Sequence, residues 1–160
     1  MLQYYRNMSP IGSEALIPNP ELAPFQVFIG RCKTEGSHAF IPGVVLHGRT
    51  SFEWTEGGSF LVMRSEIDDP RIPSATAIIS SDNVLKKYAM LYFDERGISR
   101  IFEVSIGPNT WTWFRNAPGF SQRFTCTLSQ DQQTMIGVSE LCTDDTTWEK
   151  DLELTYTRMD

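Results

Sequence analysis

The chain is short of the residues from which metal and nucleophile sites are usually built. It has three cysteines, Cys32, Cys126 and Cys142, and two histidines, His38 and His47, with no zinc-ligand spacing among them. No glycine-rich loop follows a strand, and HExxH and GxSxG are both missing, so dinucleotide, P-loop and related catalytic motifs fall away. The pairs Asp68-Asp69 and Asp144-Asp145 lack EF-hand spacing and read as solvated turns. Basic residues are also few: 14 Lys plus Arg against 20 Asp plus Glu give a net charge of −6, with no basic cluster. Nucleic-acid binding rests on phosphate neutralisation, so that class is excluded. No apolar run approaches the roughly 18 residues of a membrane helix, and MLQYYRNMSP has no apolar stretch behind a basic patch. The expectation is a cytoplasmic protein with reduced, buried thiols, no metal, no cofactor, and neither nucleic acid nor membrane as partner.

What is present is one domain's worth of core. A chain of 160 residues that is 41% hydrophobic buries roughly 70% of its extended surface on folding. Residues 1–24 hold Pro10, Pro18, Pro20 and Pro24, which deny a long helix or a central strand and mark an arm. The arm is apolar at Leu2, Tyr4, Tyr5, Met8, Ile11, Leu16 and Ile17. It reads as a segment draped over the body, a lid, or the contact of a homodimer. Residues 21–29 predict a short helix under one end of the fold, stopped by Gly30.

From Gly30 onward the pattern is alternation. Ten strands are expected, at 30–35, 44–54, 59–67, 74–81, 87–94, 98–106, 110–115, 120–128, 134–142 and 147–158. Between them lie turn sequences such as EGG, DDP, DERG, GPN and NAPG. Such links suit hairpins and are too short for crossover helices, so the sheet is an antiparallel meander. Ten strands with one apolar face cover it best by closing, which also removes both edges. The fold class is therefore all-β, a closed barrel over 25–160, with a flattened sandwich as the competitor. A turn near Asp131 would set Cys126 opposite a residue near 137, so Cys126 and Cys142 are not expected to bond.

Period-two alternation then assigns faces. Trp111, Trp113 and Arg115 share one, as do Phe120, Gln122, Phe124, Cys126 and Leu128. On the second strand Leu46, Thr50, Phe52 and Trp54 point inward and His47 outward. All four tryptophans, with Trp148, read as facing the core. Polar residues recur on the apolar faces: Arg64, Glu66, Tyr92, Arg100, Arg115, Gln122, Glu140 and Lys150. A buried charge must be paired or reach water. Either ion pairs tie strands near a barrel mouth, or the barrel encloses a partly wet cavity.

The segments GRTSFEWTEGGSFLVMRSEIDDPRIP (48–73), YFDERGISRIFEVS (92–105), TWTWFRNAPGFSQRFT (110–125) and WEKDLELTYTR (148–158) resemble a family of small bacterial barrel proteins. That family is similar to the calycins, which include lipocalins, fatty-acid-binding proteins and nitrobindin-like haem proteins. The resemblance runs from Phe25 to Arg158 and implies a calycin-like barrel around an interior cavity. Lipocalin-like members open the first strand with Gly-x-Trp; here the stretch is Gly30-Arg31-Cys32, so closure of that end falls to another indole, Trp54 or Trp148. Nitrobindin-like proteins hold haem through a late histidine, and the last strand here has none.

Taken together, the reading is a non-catalytic barrel for a small apolar or aromatic molecule. Val62, Met90, Trp111, Trp113 and Phe124 would supply apolar wall, and Arg64, Tyr92, Arg115, Gln122 and Glu140 the polar contacts. One alternative is a cofactor-free cyclase or isomerase, with Glu66 or Glu140 as an acid or base of raised pKa and Arg64 or Arg115 stabilising oxyanion charge. The other is a structural or partner-binding barrel whose interior is filled.

Overall fold

A computed structural model describes residues 19–159. The turn chemistry spaces ten strands: β1 (Gly30–His38), β2 (Leu46–Thr55), β3 (Phe60–Ile67), β4 (Ala75–Asp82), β5 (Lys87–Asp94), β6 (Ser99–Ile106), β7 (Thr110–Arg115), β8 (Ser121–Leu128), β9 (Thr134–Cys142) and β10 (Glu149–Met159). Every pairing is antiparallel between chain neighbours, and β1 also bonds to β10, which closes the barrel. No edge is left for another strand to join. Among the described residues no helix is long and apolar enough to cross a membrane. Cys126 sits opposite Gly137, and Cys32, Cys126 and Cys142 are free and buried.

One end of the barrel is plugged. A 3-10 helix runs over Pro20–Phe28, one residue earlier than expected and through Pro24, which had been assigned to the arm. Asn19 caps it by accepting from the Glu21 backbone N–H at 3.0 Å, and Pro20 occupies the first turn where no N–H is needed. A 3-10 helix repeats every three residues, so Leu22, Phe25 and Phe28 stack on one side and all three are buried. Their rings meet Trp111: Phe25 at 5.9 Å, Phe28 at 5.0 Å, with Phe52 at 5.6 Å from the other side. Trp111 is therefore the indole that seals this end, where Trp54 or Trp148 was expected. Trp54 helps from the rim, its Nε1 donating to Gln26 Oε1 at 3.0 Å. Gly30 turns the chain from helix into β1 at φ 134°, and a Cβ there would press on the Arg158 guanidinium at 3.2 Å. Arg158 in turn donates to the carbonyls of Val27 and Ile29, acceptors at the helix end, and to that of Gln132 in the turn between β8 and β9.

The phase of alternation departs from expectation on three strands. On β3 the inner residues are Leu61, Met63, Ser65 and Ile67, set by register against Phe52 and Trp54 of β2. Both faces of that strand are apolar, so composition alone left the phase open, and Val62, Arg64 and Glu66 lie on the other face. On β9, Met135 and Gly137 face inward and Glu140 outward. On β10 a bulge between Lys150 and Leu152 shifts the phase, which leaves Lys150 exposed and ion-paired to Glu153. Trp148, just before β10, lies over Arg123 with 4.3 Å from guanidinium to ring centroid, away from the core.

Candidate functional site

The other end of the barrel is open, and behind its mouth lies a cavity of about 490 Å³. That volume falls within the usual range for small-molecule sites. The floor is made by Met63, Phe102, Trp113, Phe124, Leu154 and Tyr156, carried on five different strands. Trp113 and Phe124 are cross-strand neighbours on β7 and β8, and their rings stack at 3.9 Å with 12° between planes. Gly137 is what allows this: a Cβ there would sit 2.2 Å from Phe124 Cζ, so only glycine leaves room for the ring. Ser65 and Ser139 add hydroxyls to the wall.

The mouth is polar. His38 ends β1, and loops contribute Phe40, Arg71, Pro73, Arg96 and Phe120, with Phe40 75% exposed. Asp94 ends β5 with its side chain fully buried; Arg96 Nη2 reaches Oδ2 at 2.7 Å, the Arg96 backbone N–H reaches Oδ1 at 3.0 Å, and Tyr92 Oη donates to Oδ2 at 3.1 Å. The Arg96 hydrogen bonds hold the Asp94 carboxyl down at about 2. Burial, then the adjacent carboxylate, pushes the Tyr92 phenol up to about 12. Both groups thus keep fixed charge across ordinary pH and brace the rim.

A second buried carboxylate, Asp151, lies on the β10 bulge and lines the cavity. His38 Nε2 is 3.3 Å from Asp151 Oδ1, while His38 Nδ1 accepts from the Phe40 backbone N–H at 3.2 Å. Asp151 Oδ1 is buried and accepts no hydrogen bond among the described residues, so His38 is a close neighbour of it rather than a donor to it. Burial pushes the Asp151 carboxyl up, opposed by His38.

Of the residues expected at a site, Tyr92, Trp113, Gln122 and Phe124 line the cavity. Met90 and Trp111 are interior and belong to the packed end. Arg115 faces the barrel rim and donates to the Phe120 carbonyl at 3.2 Å rather than lining the space. Arg64 is on the outer face, ion-paired with Glu53 at 3.3 Å, and Val62 and Glu66 share that face. Glu140 is also outside, gripped by Arg123 at 2.6 Å, which lowers its pKa where an acid or base role called for a raised one. Neither glutamate reaches the cavity. Asp151, His38 and the loop residues were missed, because a bulge and contacts distant in sequence leave no period-two signal. The DERG turn did carry one hint, an aspartate two residues before an arginine.

Among the described residues, no group of three His, Cys, Asp or Glu side chains converges as a metal site. No protein-family model matches the chain, and comparison with curated proteins finds no match. Among solved structures, the crystal structure of Rv2717c from M. tuberculosis is similar to it, with a TM-score of 0.62 at 12% identity over 88% of this chain and 98% of that one. At that identity the likeness speaks for the barrel fold alone.

Proposed function

We propose that the protein is a calycin-like barrel that binds a small apolar or aromatic molecule in the cavity at its open end. The observation that carries this reading is the cavity itself: an interior packed for stability alone has no reason to leave about 490 Å³ open above a stacked Trp113–Phe124 floor. It also favours binding over a filled, purely structural barrel. Cytoplasmic location and a homodimer joined through the N-terminal arm, residues 1–24, belong to the same proposal; residues 1–18 of that arm lie outside those described.

Native and denaturing mass spectrometry of the protein from its own producer tests it. The reading expects an excess mass on the folded protein that disappears on denaturation. A clean apo mass, together with no uptake of apolar fluorescent probes, would sink it.

A second reading, cofactor-free conversion of such a molecule, draws on Asp151, the one carboxylate on the cavity wall among the described residues. A carboxyl raised by burial is suited to proton transfer, and Asp151 Oδ1 is buried without a hydrogen-bond partner among the described residues. Two related masses, substrate and product, would be its signature in the same experiment.

A further inference from the structure

We propose that the ligand is a carboxylate, with its apolar body on the Trp113–Phe124 floor and its anionic head group held by Arg100 at the mouth. This rests on the ligand-binding reading above and adds the charge and orientation of what is bound.

The charge of the wall is the first observation. The chain as a whole carries −6, yet the cavity is lined by four arginines, Arg71, Arg96, Arg100 and Arg123, against one carboxylate, Asp151. Three of the four are committed: Arg71 to Asp69 at 2.6 Å, Arg96 to Asp94 at 2.7 Å, and Arg123 to Glu140 at 2.6 Å. Arg100 has no carboxylate and no hydrogen-bond acceptor among the described residues. Its guanidinium instead lies 5.0 Å over the Phe120 ring. Stacking uses the flat face of a guanidinium and leaves the N–H edge free, with five donors in a fork that matches two carboxylate oxygens.

The second observation is an amide short of a partner. Gln122 lines the same cavity, and its Oε1 is buried without a hydrogen bond. An amide exchanges its oxygen and nitrogen by a half-turn, so that position offers either an acceptor or an N–H to a ligand. The third is polarity by depth. Arg100 begins the inner row of β6, Phe102 follows toward the floor, and Val104 is buried beyond it. A ligand charged at one end only matches that order. Asp151, the one negative group on the wall among the described residues, lies beside His38, Nε2 to Oδ1 at 3.3 Å, and burial favours its neutral form, so its repulsion of an anion is blunted. In a mouth partly screened from water, a bidentate arginine–carboxylate pair is stronger than on an open surface.

The test compares two probes that differ only in the head group, pyrenebutyrate and pyrenebutanol, titrated against tryptophan emission. For the unaltered protein we expect the acid to bind at least about tenfold tighter than the alcohol, as a charge-assisted hydrogen bond warrants. Arg100→Met should erase that difference, while Arg100→Lys keeps part of the preference. Equal binding of acid and alcohol by the unaltered protein would overturn the head-group assignment and leave the cavity reading standing. So would a preference that survives in a folded Arg100→Met. Failure of both probes to bind would overturn the cavity reading and this inference with it. The comparison on the unaltered protein needs no variant, so a variant that fails to fold does not decide the matter.

Discussion

The two ends of the barrel are built from the same ten strands with the same alternation, yet one is solid and the other hollow. At the plugged end the inner positions are large, and a helix delivers Leu22, Phe25 and Phe28 between them to meet Trp111 and Phe52. Polar groups there are spent on backbone: Arg158 on three carbonyls, and Tyr88 Oη on the Glu21 carbonyl at 2.7 Å. At the open end no helix enters among the described residues. Round its rim stand arginines from loops and from β6, with His38 at the end of β1; among the described residues they lie against carboxylates or, for Arg100, only a ring. A barrel strand is thus neutral scaffold. What is inserted at each end decides whether it becomes core or container.

The largest contrast should come from aromatic truncation. Phe28→Ala, at the plugged end, leaves a cavity among packed rings and should cost about 3–5 kcal/mol in denaturant unfolding. Phe40→Ala, on the mouth and 75% exposed, should cost about 0.5 kcal/mol or less. Equal losses would mean that the two ends share one core. Next is Gly137→Ala, whose Cβ must displace the Phe124 ring. We expect a loss of about 2–3 kcal/mol and a changed near-ultraviolet circular dichroism as the stack on Trp113 opens.

Asp94 supplies a prediction in pH. Its folded pKa is depressed to about 2 by the Arg96 hydrogen bonds, below the ordinary value of about 3.9. The stabilisation it provides is therefore complete above about pH 4 and lost as pH falls through about 2. Asp94→Asn should cost about 1–2 kcal/mol at neutral pH and flatten the unfolding profile across that acid window. An unchanged acid limb would show that the rim tie is idle. The smallest effect belongs to the outer face. Arg64→Ala breaks only an exposed pair with Glu53 and should change stability by less than about 0.5 kcal/mol, with probe binding untouched.

How much of this was legible follows from the physics of each signal. Turn residues located the ten strands within a few positions, and counting across the turn at Asp131 placed Cys126 opposite Gly137. Faces were readable where one side of a strand is polar, as on β6, β7 and β8. They were not on β3, where Val62 and Met63 are equally apolar and only the register with β2 decides. Nor was the bulge that brings Asp151 to the cavity wall, since one extra residue reverses the alternation without changing the composition. Hence Tyr92, Trp113, Gln122 and Phe124 were found at the site, whereas Arg64 and Glu140 were assigned to a wall from which they point away. Arg100 was visible as a charge on an apolar face, but that among the described residues it meets a ring and no acceptor is a three-dimensional fact.

The division into a packed end and a receptive end can be read directly from methionine methyl groups. Met63 lines the cavity, and Met135 is buried outside it near the plugged end. In a protein labelled at its methionine methyls, titration with pyrenebutyrate should shift the Met63 resonance strongly and leave Met135 in place. Shifts at Met135 with Met63 unmoved would place the ligand elsewhere and contradict the account.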